Sequence, residues 1–235
     1  MDLLLSAHAD DVAYSIGGLL LKGYCHEPKL VTVFQKSIYA PYSVESGSSE
    51  AVICNIRYAE DIAYANKLGL QHEGIGLKDV TLRGYTNLDT IFTVTDYRQD
   101  PDAEASIQAI QSFLNTQTGV TRLWVPLGIG NHIDHIILQK AVLLWSATSS
   151  LEKIFYEDVP YTGFEELSTI ETWVQQTLGA AELEMIDICQ HLEEKLQNLQ
   201  LYSSQVSSED LERVKFHAQR IVAGTAVERI WRQKT

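Results

Sequence analysis

A chain of 235 residues with 45% hydrophobic content is long enough to bury a full core as one domain. Its 18 basic and 31 acidic residues leave a net charge of −13, which argues against polyanionic partners such as nucleic acid or an anionic membrane surface. No stretch approaches the ~18–20 apolar residues of a membrane span, and the first residues lack the basic region of a signal peptide. Cys25, Cys54 and Cys189 are odd in number and show no CxxC spacing, so they read as buried free thiols of a reducing cytoplasm.

In chain order, Leu3-Leu4-Leu5 predicts a short buried strand that stops at Ser6-Ala7. His8, Ala9, Asp10 and Asp11 follow, and then a helix over about 15–25 whose Gly17-Gly18 pair suits close packing on a sheet. Residues 29–35 form a second strand, apolar on both faces as parallel strands are. The polar stretch 37–49 is a loop over the strand ends. A helix over 50–68 places Val52, Ile56, Ala59, Ile62 and Ala63 on its apolar face and stops at Gly69. Residues 70–82 hold a short strand and a charged turn, and 83–102 are irregular. Asp100-Pro101-Asp102 caps a helix over 103–115. A strand over 120–127 runs into Gly128-Ile129-Gly130-Asn131-His132-Ile133-Asp134-His135, followed by a helix to about Thr148. A strand over 153–156 ends in Glu157-Asp158. From Thr162 the pattern is helical, over 163–178, 185–203 and 208–225, with a strand signal only at 227–231.

Strands alternating with helices define an α/β fold, a three-layer α/β/α sandwich with a mostly parallel, Rossmann-like sheet. Residues 1–161 are its metal-binding core, and 162–235 a helical C-terminal extension of the same domain. That extension either covers one side of the pocket or joins copies into a homo-oligomer.

Both polar clusters follow strands, which puts them on one carboxyl edge, where α/β folds bind ligands. His8 and Asp11, three residues apart, can converge on one cation. A catalytic zinc takes three protein ligands and keeps a position for water, so either His132 or His135 completes the set. An unligated carboxylate, Asp10, can then take a proton, and the remaining histidine can stabilise an oxyanion.

HADD followed by YSIGG, with GNHIDH about 120 residues later, resembles the PIG-L/LmbE-like family of zinc-dependent N-acetylglucosaminyl-type deacetylases. The resemblance covers most of residues 2–161. It implies that His8, Asp11 and His135 bind one Zn2+, with Fe2+ as the alternative ion. It also implies that Asp10 is general base and then acid, that His132 steadies the oxyanion, and that Asp134 holds His132 in its cationic form. Ala9 replaces the family's usual proline, and Val12 an acid often found after the paired aspartates. The reaction implied is removal of an N-acetyl group from an amino sugar or sugar conjugate in the cytoplasm.

Three further residues are candidates for substrate contact: Ser15 beside the first motif, Arg57 on the long helix one turn from Glu60, and Glu157 at a strand end. His26, His72, His191 and His217 lack a partnering pattern, Trp124 and Trp145 read as core or interface, and the Glu/Lys-rich stretch 182–195 reads as a solvated helix face. Two other functions fit the same residue types, a non-catalytic sugar-binding protein of this fold and a metal-dependent phosphoesterase.

Overall fold

The computed structural model describes residues 1–85, 87–94, 96–145 and 151–233. In chain order its elements are β1 (Asp2–Ser6), α1 (Asp11–Leu21), β2 (Lys29–Thr32), α2 (Glu50–Leu68), β3 (Gln71–Gly74), α3 (Ala103–Thr116), β4 (Arg122–Pro126), α4 (Ile133–Leu143) and β5 (Glu152–Tyr156). Then come α5 (Leu167–Leu178), β6 (Ala181–Asp187), α6 (Leu192–Leu199), α7 (Ser208–Arg220) and β7 (Val227–Gln233).

Among the described residues one seven-stranded sheet runs β3-β2-β1-β4-β5-β7-β6. The first five strands are parallel, while β7 is antiparallel to both β5 and β6. Alternation along each central strand fills two cores. Leu3, Leu5, Leu123, Val125 and Phe155 meet α3, α4 and α5 on one face, and Leu4, Trp124, Ile154 and Tyr156 meet α1, α6 and α7 on the other. The order reverses between β1 and β4, and a crevice opens there at the carboxyl ends of the strands.

The sequence reading needs correction in five places. The first is the stretch expected as a helix over 185–203, which begins instead as strand β6, with α6 following. In β6, Leu183 and Ile186 pack into opposite layers, Glu182 and Met185 are exposed, and Glu184 is half-buried against the Tyr24 hydroxyl and Arg232; the two glutamates are strong helix formers that also occupy a sheet edge. Second, α1 starts at Asp11, not near residue 15, so the second aspartate of the motif sits in its first turn. Third, α2 spans the expected residues, but its buried positions include Ile53, Arg57, Glu60, Asp61 and Tyr64, while Val52 is 38% exposed. The buried face of α2 is polar because Arg57 lines the crevice while Glu60 and Asp61 accept hydrogen bonds from Ser204, Tyr202 and Thr32. Fourth, α4 ends at Leu143 with Leu144 as its C-cap, short of the expected Thr148, and residues 146–148 of that expectation lie outside the described residues. Fifth, the thiols are free, but Cys25 and Cys54 are only half-buried and Cys189 is exposed.

The Gly17-Gly18 pair permits close contact with Lys195 of α6, Tyr64 of α2 and Ile188 just past β6. Ile16 leaves helical dihedrals (φ −130°, ψ 19°), kinking α1. The freed N–H groups of Gly18 and Leu19 donate to the Glu228 carboxylate of β7 at 2.9 and 2.7 Å. Lys195 of α6, far from being solvated, is buried and pairs with Glu228 at 2.7 Å. A Cβ on Gly18 would stand 2.8 Å from Ile188 Cδ1. Gly18→Val should therefore overpack this contact and cost about 1–3 kcal/mol, a fall in Tm of about 2–4 °C per kcal/mol in a chain of this size. Gly163→Ala, where the nearest atom is 4.0 Å from the new Cβ, should leave Tm unchanged. Thermal melts of both variants check this.

Candidate active site

Three strand ends converge on the crevice. His8 to Asp11 follow β1. Gly128 (φ +72°), Gly130 (φ +87°) and Asn131 (φ +60°) turn the chain after β4 and aim His132 and His135 inward. A Cβ on Gly130 would lie 2.5 Å from Tyr161 Cβ, so glycine lets the two loops touch. Asp158 follows β5. Asn131 donates to Phe92 O and Val94 O, fixing the turn against the irregular segment before α3.

His8 Nδ1 lies 3.4 Å from Asp11 Oδ2 and 3.3 Å from His135 Nε2, and His135 Nε2 lies 3.3 Å from Asp11 Oδ1. Two ligands of a tetrahedral cation with bonds of 2.0–2.1 Å stand about 3.3–3.4 Å apart, so each of these spacings suits a shared cation, the two imidazoles meeting different oxygens of Asp11. His132 also brings a ring nitrogen within 4.8 Å of those of His8 and His135. The far sides of the His8 and His135 imidazoles are each held by a buried carboxylate. His8 Nε2 donates to Asp134 Oδ2 at 2.9 Å, and His135 Nδ1 to Asp158 Oδ1 at 2.6 Å. Each bond places a proton on the outer nitrogen and leaves the inner one with a lone pair.

Asp134 does not hold the His132 ring through its carboxylate, as the family pattern implies. That carboxylate turns to His8, to the Val80 N–H and to Arg83, whose Nη2 is 2.5 Å away. The link to His132 is the Asp134 backbone N–H, which donates to His132 Nδ1 at 3.2 Å as the N-cap bond of α4. Nδ1 of His132 is therefore an acceptor, and burial together with the charge of His8 holds this ring well below the usual histidine range, hence neutral.

The electrostatics call for positive charge at the centre. Burial opposes charge on His8, yet Asp11 and Asp134 raise it to about 9; Asp11 and Asp158 likewise hold His135 well above the ordinary value against burial. Asp10 is pushed up to about 6 by burial and by the charge of Asp11. A divalent cation fits a donor set of two imidazoles and a carboxylate ringed by further carboxylates.

Beside these residues lies a cavity of about 290 Å³, lined by His8, Asp10, Asp11, His132 and Arg57 together with Tyr14, Tyr39, Tyr42, Phe92, Tyr161 and Phe164. Of the three residues expected at the substrate, only Arg57 is in its wall. It donates to Ser37 Oγ and Tyr39 O and stands 3.7 Å from Asp79, while Glu60 binds Ser204 instead of Arg57. Ser15 and Glu157 face the layer behind the cavity. Ser15 Oγ accepts from the Val159 N–H, and Glu157 accepts from Arg229 and from the Trp231 indole, with His217 at 3.3 Å. Their residue types were visible, but α1 begins early enough to turn Ser15 away, and Glu157 alternates to the opposite face from Asp158. Reasoning from sequence missed Asp158 as the partner of His135, Arg83 altogether, and the pairing of His72 with Asp61 (3.1 Å) and of His217 with Glu157.

A Rossmann-like sheet with a His–Asp–His donor set and a carboxyl beside it defines a metal-site hydrolase. No protein-family model matches the chain. It is 30% identical over 223 residues to the 2'-N-acetylparomamine deacetylase of Streptomyces fradiae, covering 93% of this chain and 78% of that one. Among solved structures it is similar to the zinc-inhibited form of a teicoplanin deacetylase (TM-score 0.72, 22% identity, 98% of this chain and 97% of that one). It is also similar to the N,N'-diacetylchitobiose deacetylase of Pyrococcus horikoshii (TM-score 0.58, 13% identity, 97% and 82%). The chain belongs to the PIG-L/LmbE-like family of N-deacetylases. No helix among the described residues is long and apolar enough to cross a membrane.

Glu157 makes a separate prediction about stability. Burial works against its charge, but His217 and Arg229 hold its carboxyl below the usual range. The unfolded chain then takes up this proton first, so the stability from Glu157 is full above the ordinary value of about 4.3 and is lost as pH falls through the lower folded value. Glu157→Gln should lower stability at pH 7 and flatten the acid limb of the stability curve below about pH 5. Denaturant titrations across that range decide it, and equal slopes in both proteins would contradict it.

Proposed function

We propose that the chain removes an acetyl group from the nitrogen of a soluble amino sugar or glycoconjugate in the cytoplasm, with His8, Asp11 and His135 holding one Zn2+. The observation that carries the reading is the convergence of His8 Nδ1, His135 Nε2 and the two Asp11 oxygens, with contacts of 3.3–3.4 Å, at the edge of a cavity that also contains Asp10 and His132. When bound, the cation acts as a Lewis acid that lowers the pKa of water and polarises an acyl carbonyl.

Asp10 does not cap α1 with its side chain, and its raised pKa suits a group that gains and loses a proton near neutrality. It takes the proton of the attacking water as the oxygen bonds to the acetyl carbon. It returns a proton to the amine nitrogen as the C–N bond breaks, leaving acetate and a free amine. His132, its Nδ1 engaged by the N-cap bond, keeps its proton on Nε2 and donates it in a hydrogen bond to the oxyanion as a neutral imidazole. Arg57 and the tyrosines of the wall bind the sugar. The substrates named for the three relatives, 2'-N-acetylparomamine, teicoplanin and N,N'-diacetylchitobiose, support an N-acetylated sugar or glycoconjugate. A two-metal phosphoesterase needs ions about 3.5–4 Å apart, and the described residues offer one cluster, His8, His132 and His135, with Asp11 beside it.

Acetate release from a panel of N-acetylated amino sugars and glycoconjugates tests the reading. Chelation should abolish release, and about one equivalent of Zn2+ per chain should restore it, as a single three-ligand site with one open position predicts; titration with Fe2+ in parallel identifies the working ion. Asp10→Asn should keep the metal and lose about 10²–10⁴-fold in kcat, whereas His8→Ala should lose the metal. Unchanged turnover in Asp10→Asn removes the proposed base, and metal-independent release removes the whole reading.

A further inference from the structure

Arg83 lies in the segment between β3 and α3 that the sequence leaves irregular, directly after a single 3₁₀ turn at Val80–Leu82. Its side chain is 1% exposed, and its donors are directed onto three groups. Nε and Nη2 grip Asp100 at 3.1 and 2.9 Å, Nη1 donates to Lys78 O at 2.7 Å, and Nη2 lies 2.5 Å from Asp134 Oδ1. The guanidinium also stacks over the Phe34 ring, 5.3 Å from its centroid. Asp100 is held in turn by the Tyr85 hydroxyl at 3.0 Å. The same stretch of chain supplies the Val80 N–H, which donates to Asp134 Oδ2, the oxygen that accepts from His8 Nε2.

We propose that Arg83 is a positioning residue for the metal centre: by clamping Asp134 it fixes the ring of His8 with Nδ1 turned toward Asp11 and His135. The inference rests on His8 being a ligand, as proposed above. Asp134 sits in the first turn of α4, and both of its oxygens face away from the helix that carries it. One oxygen pairs with Arg83 Nη2 at 2.5 Å, and the other accepts from the Val80 N–H and His8 Nε2, so contacts on both oxygens fix the orientation of the carboxylate. His135 needs no such clamp, because Asp158 is anchored by its own bond from the Ile129 N–H at 2.9 Å. Each carboxylate behind an imidazole thus accepts a backbone amide, Val80 for Asp134 and Ile129 for Asp158, and Asp134 alone is also paired with a cation from a distant segment. Planar, bidentate geometry is what arginine supplies and lysine does not.

The rival account is that the Arg83–Asp100 pair only fastens the segment 78–102 to the body. Three variants separate the two, each checked for folding by circular dichroism and read by metal Kd (Zn2+ competed against a chromophoric chelator) and by kcat and KM for acetate release. Arg83→Met should raise the metal Kd about 10–100-fold, the range for losing a partner behind a ligand, and lower kcat with KM little changed. Arg83→Lys should recover folding stability and only part of the metal affinity. Asp100→Asn, which leaves the Arg83–Asp134 contact in place, should lower Tm with the metal Kd within about twofold of the parent value, as expected for a partner outside the ligand's own contacts. A folded Arg83→Met with parental Kd and kcat overturns the proposal, and so does an Asp100→Asn that matches it in lost affinity. His8→Ala is measured beside them: if it binds Zn2+ as tightly as the parent, the ligand assignment itself fails, whereas loss there with unaffected Arg83 variants condemns the clamp alone.

Discussion

Two buried hydrogen bonds from imidazole to carboxylate, His8 to Asp134 and His135 to Asp158, set the terms for the rest of this structure. They are made from opposite ring nitrogens, which is why two histidines from different loops can offer lone pairs to the same point. They also tie β1 to α4 and α4 to the end of β5, so the crevice where the sheet order reverses is closed by polar bonds, not by apolar contact. Buried carboxylates are costly unless donors surround them. Asp11 accepts the His8 N–H at 2.6 Å, Asp158 that of Ile129, and Asp134 that of Val80 together with the Arg83 guanidinium.

The same rule operates in the layers around the crevice. Glu60 and Asp61 of α2 turn inward to Ser204 and to Tyr202, Thr32 and His72. Glu228 closes the kink of α1 while pairing with Lys195. These groups fasten the C-terminal helices and strands to the two helices that flank the first motif. The C-terminal part also supplies Asp210 and Arg213 to the cavity wall, and so takes part in shaping the space where a substrate would lie.

The sequence made the parallel core legible because apolar strands such as Leu3-Leu4-Leu5 are punctuated by polar clusters that have no business at a buried strand end unless used. The six motif residues meet at one place in the structure, five of them in the bonded network and Asp10 at the cavity. Other features were hidden by their physics. β6 alternates Glu182 and Glu184 with Leu183, a pattern that helix and edge strand share at this length. The polar inner face of α2 inverted an apolar-stripe reading, since Arg57, Glu60 and Asp61 are buried by ion pairs and hydrogen bonds that no periodicity announces. Arg83 and Asp100 are separated by 17 residues of irregular chain, and only the folded path of that segment brings them to Asp134. The role implied for Asp134 toward His132 belongs to its backbone amide instead, a distinction that residue type alone does not carry.

The position of β7 has a consequence for how the molecule is assembled during synthesis. This strand is the last of the seven in the chain but lies between β5 and β6, and its hydrogen bonds are what bring β6 to the sheet. Until residues 227–233 leave the ribosome, one edge of β5 is bare and Glu157 lacks both Arg229 and Trp231. Pairings of such long sequence separation form late. A nascent chain therefore carries both motifs, His8 to Asp11 and His132 to His135, well before the strand that completes the sheet beside β5 is in place.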